Sequence, residues 1–137
     1  WLVGRPSAEF LPILARYRDL PGLRLIGYVT DPVAVYQQAD VFTFPTIEEG
    51  SALVTYEALA CGLPVVTTPN AGSVVRDGVE GFIVPTRDVE ALVAVLERLR
   101  ADERLRLGIG WAARQRAEAF TWERYETSLA RICTAIG

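Results

Sequence analysis

No histidine, lysine or methionine occurs among the 137 residues of this chain. Without histidine there is no Ser-His-Asp triad and no histidine metal site. Without lysine there is no Schiff-base anchor for pyridoxal phosphate and no Walker-type phosphate lysine, so all 14 basic residues are arginines. With no methionine, Trp1 is not read as a translation start, and the chain is expected to be a piece of a longer protein. No apolar run approaches the ~20 residues a membrane-spanning helix needs, and no signal peptide is visible. Cysteine is nearly absent. Cys61 and Cys133 lie far apart in apolar helical surroundings and are read as buried, reduced thiols rather than a disulfide or a metal pair.

What is present fits one domain with a sizeable core: half of the residues are hydrophobic. A net charge of −3 argues against nucleic acid or an anionic membrane surface as the main partner. The arginines at 98, 100, 104, 106, 114, 116, 124 and 131 are balanced by local acids and read as a solvated helical surface.

Short apolar runs alternate with helical patterns. Strands are expected at Trp1–Val3, Leu23–Val29, Val41–Pro45, Pro64–Thr67 and Gly81–Val84. Helices are expected over Ala8–Tyr17, from Pro32 to Gln38 behind an Asp31 cap, and from a Ser51 cap to a stop at Gly62. The strand runs are continuous rather than alternating, the mark of a parallel sheet covered on both faces. The implied class is α/β, a doubly wound Rossmann-like layer over residues 1–87 followed by C-terminal helices over 88–137. In that helical part Asp88 caps a helix with Val89, Leu92, Leu96 and Leu99 on its inner face. A second runs from Glu103 to about Phe120. Thr121 caps a third with Trp122, Tyr125, Leu129, Ile132 and Ile136 inward.

Residues 48–66, Glu-Glu-Gly-Ser-Ala-Leu-Val-Thr-Tyr-Glu-Ala-Leu-Ala-Cys-Gly-Leu-Pro-Val-Val, carry the chemistry. Glu49 and Glu57 bracket a loop and a helix start. Carboxylates accept bonds from vicinal hydroxyls such as those of a ribose or hexose. A helix start offers free N–H groups to a phosphate, and the small residues Gly50, Ser51 and Ala52 allow close approach to backbone. Together these grips fit a nucleotide-sugar. Two glutamates alone mean little, since a surface pair is the ordinary reading. Glu57, however, is expected at the edge of the buried face, with no basic residue between Arg24 and Arg76. A ligand hydroxyl or a backbone N–H is then its expected partner. The loop from Thr67 to Ser73 is expected at the same sheet edge. Asp77-Gly78 and Glu80-Gly81 read as plain turns.

Residues 49–66 resemble the Glu-x7-Glu signature of the GT-B retaining glycosyltransferases of family 4. Ala39 to Pro45, Arg76 to Pro85 and Phe120-Thr121-Trp122 are similar to the flanking strand, closing strand and final helix of that family. The resemblance implies that residues 1–137 are the donor-binding domain, lacking the acceptor domain and the first strand and helix of the donor domain. By position it implies that Glu49 meets the donor sugar as the catalytic carboxylate and that Glu57 holds the ribose. Gly50, Ser51, Ala52, Leu53 and Val54 would approach sugar and diphosphate, and Tyr28 and Val29 would lie near the base. It implies no cofactor and no metal, a nucleotide-diphosphate-sugar as partner, and a cytoplasmic protein with peripheral contact at the inner membrane face left open for the full-length enzyme. Ser51-Ala52 stands where Phe-Gly is usual, so the sugar is not fixed by the resemblance. The competing reading is a non-catalytic nucleotide-binding or scaffold domain. A sheet lacking its first strand would leave apolar edges beside the first strand here and beside Val41–Phe44. Either those strands pair directly or a second copy covers them; self-association of the piece is the favoured expectation.

Overall fold

The structure, a computed structural model, describes residues 1–136. The chain divides into two compact units, Trp1–Ala34 and Val35–Gly137.

In the first unit β1 (Leu2–Val3) pairs in parallel with β2 (Leu25–Gly27). The intervening helix α1 spans Leu11–Ala15. It is shorter than the Ala8–Tyr17 pattern predicts. Ser7 turns the chain by accepting from the Phe10 amide at 3.3 Å, and Pro12, in the first turn, lacks an N–H and so favours a helix start there. The Asp31 side chain accepts from the Val33 amide at 3.1 Å, opening α2 (Pro32–Tyr36) as predicted. None of the first 34 residues is buried. A cavity of about 630 Å³ in this unit is walled mainly by apolar side chains of β1, β2 and α1, with Arg5 and Arg18 as its charges.

The second unit holds the core. β3 (Phe42–Phe44), β4 (Val65–Thr67) and β5 (Gly81–Ile83) form a parallel sheet in that order. β4 is central and wholly buried. This is the double-sided cover that an uninterrupted apolar run requires. The helix α3 (Leu53–Ala60) makes the crossover from β3 to β4, and Gly62 follows it with φ of 75°, the left-handed stop expected there. Then come α4 (Val89–Ala101), α5 (Glu103–Ala117) and α6 (Trp122–Ile136). Asp88 and Asp102 cap α4 and α5, each side chain accepting an amide three residues on. One cluster joins Tyr36, Ala58, Leu59, Leu63, Val65, Val75 and Ala113. The other joins Val66, Phe82, Val84, Leu99 and Ile109. Two glycines permit backbone contact. A Cβ on Gly81 would stand 1.8 Å from the Val65 carbonyl oxygen, and one on Gly110 would stand 2.4 Å from that of Gly62.

Several expectations are corrected. Val89 is 69% exposed, because it begins α4 before the helix reaches the sheet-facing cluster; Leu92, Leu96 and Leu99 do pack there. Trp122, Tyr125, Leu129, Ile132 and Ile136 are all exposed rather than inward. Periodicity showed that α6 has an apolar stripe, but it does not provide a surface for that stripe to cover. Cys133, on α6, is exposed for the same reason, and Cys61 is only half-buried; both are free thiols.

Candidate functional site

The site residues of the second unit lie at the carboxyl ends of β3 and β4, where open α/β sheets bind ligands. Two loops leave the sheet there, residues 45–52 and 68–72, and they are tied together. The Thr68 hydroxyl donates to the Thr46 carbonyl at 2.6 Å. The Asn70 side-chain amide donates to the Ile47 carbonyl at 3.0 Å. The Glu49 amide donates to the Asn70 carbonyl at 2.9 Å, and the Ala52 amide to the Ala71 carbonyl at 3.2 Å. Gly72, at φ 59°, lies so close that a Cβ there would stand 2.2 Å from the Gly50 carbonyl oxygen. Backbone polar groups that a loop would otherwise leave to water are thus used to fix its shape.

Ser51 is not the helix cap. α3 starts at Leu53 with Ala52 as its N-cap residue, and no side chain caps it. The Ala52 amide is already committed to Ala71, which sets the entry of the chain one residue later than the Ser51 signal suggests. The Thr55 hydroxyl instead turns back to the Ala52 carbonyl at 2.8 Å. The Leu53 and Val54 amides, in the first turn, therefore have no intrahelical acceptor and no capping side chain. Gly50 and Ser51 are exposed beside them, whereas Ala52 is buried.

Glu49 is exposed, and among the described residues its Oε1 accepts only from the neighbouring Gly50 amide, at 3.3 Å. Glu57 differs from expectation. It is exposed rather than stranded at the core edge, and its Oε2 accepts from the Tyr36 hydroxyl at 3.0 Å. The partner is thus a phenol, not a backbone N–H. Burial and the Glu57 carboxylate both push the Tyr36 phenol well above its ordinary range. Burial also raises the Cys61 thiol, against the pull of Arg114. Tyr36 was missed as a site residue; its only signal was an aromatic residue closing a short capped helix. Tyr28 and Val29 lie in the first unit just past β2. Tyr28 is exposed there, with the Arg5 guanidinium 5.1 Å over its ring.

Two further features escaped the sequence reading. Glu80 sits in a turn but is fully buried, ion-paired to Arg76 and accepting the Arg76 amide at 2.8 Å. Burial alone would raise its carboxyl; the hydrogen bonds and charge of Arg76, with that of Arg116, outweigh this and hold it below its ordinary value. The arginines of α5 are more than a solvated face. Arg106 donates to the Leu99 carbonyl at 2.9 Å, Arg114 to the Ala60 carbonyl, and Arg116 to the Val74 carbonyl at 3.2 Å. Two of these carbonyls lie in the last turns of α4 and α3, where a cation meets the negative end of the helix dipole.

Among the described residues no group of three or more His, Cys, Asp or Glu side chains could hold a metal ion, and no helix is long and apolar enough to cross a membrane.

The family described as "Glycosyl transferases group 1" matches residues 1–102. The chain is 40% identical over 114 residues to the capsular polysaccharide biosynthesis glycosyltransferase CapM of Staphylococcus aureus, covering 78% of this chain and 30% of that protein. Sucrose-phosphate synthase of Thermosynechococcus elongatus superposes with a TM-score of 0.83 at 27% identity, covering 99% of this chain and 38% of that one. Anabaena HepE, solved in complex with UDP, superposes with a TM-score of 0.88 at 20% identity, covering 98% and 40%. The fold is thus that of the GT-B glycosyltransferases, and the chain spans about a third of the length of the curated relative it matches.

Proposed function

The chain belongs to the group 1 glycosyl transferases, and from that premise we propose that it is the donor-binding half of a retaining glycosyltransferase. The full-length protein moves a sugar from a nucleotide-diphosphate-sugar to an acceptor that a separate domain holds. The observation that carries this reading is the tied pair of loops at the ends of β3 and β4, which fixes Glu49 and the first amides of α3 in one place.

In this reading the Glu49 carboxylate accepts from donor-sugar hydroxyls and Glu57 from the ribose. Of the segment from Gly50 to Val54, the Leu53 and Val54 amides, which have no acceptor within the helix, face the diphosphate. As the bond from the sugar anomeric carbon to the diphosphate breaks, the leaving group takes the electron pair. Fixed N–H donors stabilise that growing charge without reorganising. No metal is assigned a step. UDP, the ligand of Anabaena HepE, is the first nucleotide to try. In this reading the protein works in the cytoplasm, with peripheral contact of the full-length enzyme at the inner face of the membrane.

The test is Glu49→Gln in the full-length protein. Turnover of the nucleotide-sugar should fall at least about tenfold, the loss of one charge-assisted hydrogen bond. Affinity for free nucleoside diphosphate, measured by calorimetry, should stay within about twofold, because that ligand lacks the sugar. If nucleoside diphosphate affinity falls as far as turnover, Glu49 does not act on the sugar.

A further inference from the structure

We propose that Tyr36 is a positioning residue for nucleotide recognition: its hydroxyl holds one oxygen of Glu57 so that the other is presented to the ribose. The proposal rests on the reading of Glu57 as the ribose grip.

Tyr36 is 9% exposed, and its ring belongs to the core cluster that includes Ala58, Leu59 and Val65. The ring meets Phe42 edge-on, with centroids 5.6 Å apart and planes at 78°. Phe42 in turn stacks on Phe44, 6.1 Å away, along β3. The hydroxyl is therefore placed by the sheet, not by its own freedom. Glu57 is the reverse case. It is exposed on α3, where a glutamate samples several staggered rotamers. The bond from the Tyr36 hydroxyl to Oε2 selects among them. Among the described residues no donor reaches Oε1, which keeps its lone pairs for a ligand. A carboxylate held in this way meets a vicinal diol with less ordering left to lose on binding.

The plainer alternative is that Glu57 only satisfies a buried phenol, since buried tyrosine hydroxyls usually find a partner. The two differ in what the ligand sees. A structural role would alter all nucleotide affinities alike. A positioning role acts on the ribose hydroxyls alone.

The experiment uses the full-length protein with UDP and GDP, each against its 2′-deoxy form, and reads the ratio of the two affinities by calorimetry. Both ligands report on the same folded fraction, so a loss of stability cancels from the ratio. Wild type should prefer the ribose form by about tenfold or more. Tyr36→Phe keeps the ring and removes the donor; its preference should fall to within about threefold of unity. Glu57→Asp, on the surface, retracts the carboxylate from the phenol without touching the core, and it should lose the preference too. In a Glu57→Ala background, Tyr36→Phe should change the ratio no further. Full preference in Tyr36→Phe or Glu57→Asp, with the preference abolished in Glu57→Ala, overturns the positioning role while leaving the ribose grip standing. Full preference in Glu57→Ala removes the grip itself, and the proposal with it.

Discussion

The two units are built from the same strand–helix–strand alternation, yet only one has a core. Residues 1–34 contain no buried side chain, and most of their large apolar residues, Leu2, Val3, Phe10, Leu11, Leu25 and Ile26 among them, are exposed. Residues 35–136 bury β4 completely between two clusters. The difference is one of neighbours. β4 has a strand on each side and helices packed against it, whereas the first unit by itself offers a two-stranded sheet and the short helix α1. Alternation of elements is thus a plan for burial; the stabilisation comes only when each face is covered.

The sharpest way to break this comparison is to remove equal side chains from the two units. Leu59 is fully buried and Leu11 is 51% exposed. Leu59→Ala should cost about 2–5 kcal/mol, the loss of transfer energy plus a cavity. Leu11→Ala should stay within about 0.5 kcal/mol. Denaturant melts with unchanged m-values would read the difference, and equal costs would mean that residue 11 is covered in solution.

A smaller effect probes packing without removing anything. The Gly110 Cα faces the Gly62 carbonyl, so Gly110→Ala forces α5 away from the end of α3 and should cost about 1–3 kcal/mol. Gly4 has open space around it, but its φ of 118° strains any Cβ. The more telling control is Gly108, on the same helix with nothing nearby, where alanine should be neutral or stabilising by up to ~1 kcal/mol.

The smallest expected effect belongs to Glu80. Its carboxyl is held below the ordinary value of 4.5. The group therefore stabilises the fold above about that pH, and the contribution is lost as pH falls through the lower folded value. Glu80→Gln keeps the shape and removes the titration. It should cost about 1 kcal/mol at neutral pH, because Arg76, 59% exposed, returns to water. Its penalty should shrink towards zero in acid. A penalty that does not change with pH would show that the charge plays no part.

The parallel sheet, the Asp88 cap and the Gly62 stop could all be read from the sequence, because each is a local signal with a local cause. So could the placement of Glu49 and of the amides after it on one loop and helix start. What could not be read depends on partners far along the chain. Ser51 has the residue type of a cap, but the bond from the Ala52 amide to Ala71 moves the helix start past it. Glu57 looked unpartnered because its donor, Tyr36, is 21 residues away and uncharged. Glu80 looked like a turn residue because nothing in a Glu-Gly pair says that the turn is buried. The stripe of α6 had the right period, but period alone does not say which surface, if any, it meets.

The tie between the loops after β3 and β4 also bears on how this sheet edge can be altered. Four hydrogen bonds and a backbone contact at Gly72 bind residues 46–52 to residues 68–72. A graft of one loop alone would arrive without its matching half: the Asn70 amide would lose its carbonyl, or a side chain at 72 would strike residue 50. The two segments form one cassette, so recombination or engineering that reshapes this sheet edge would have to carry both loops together.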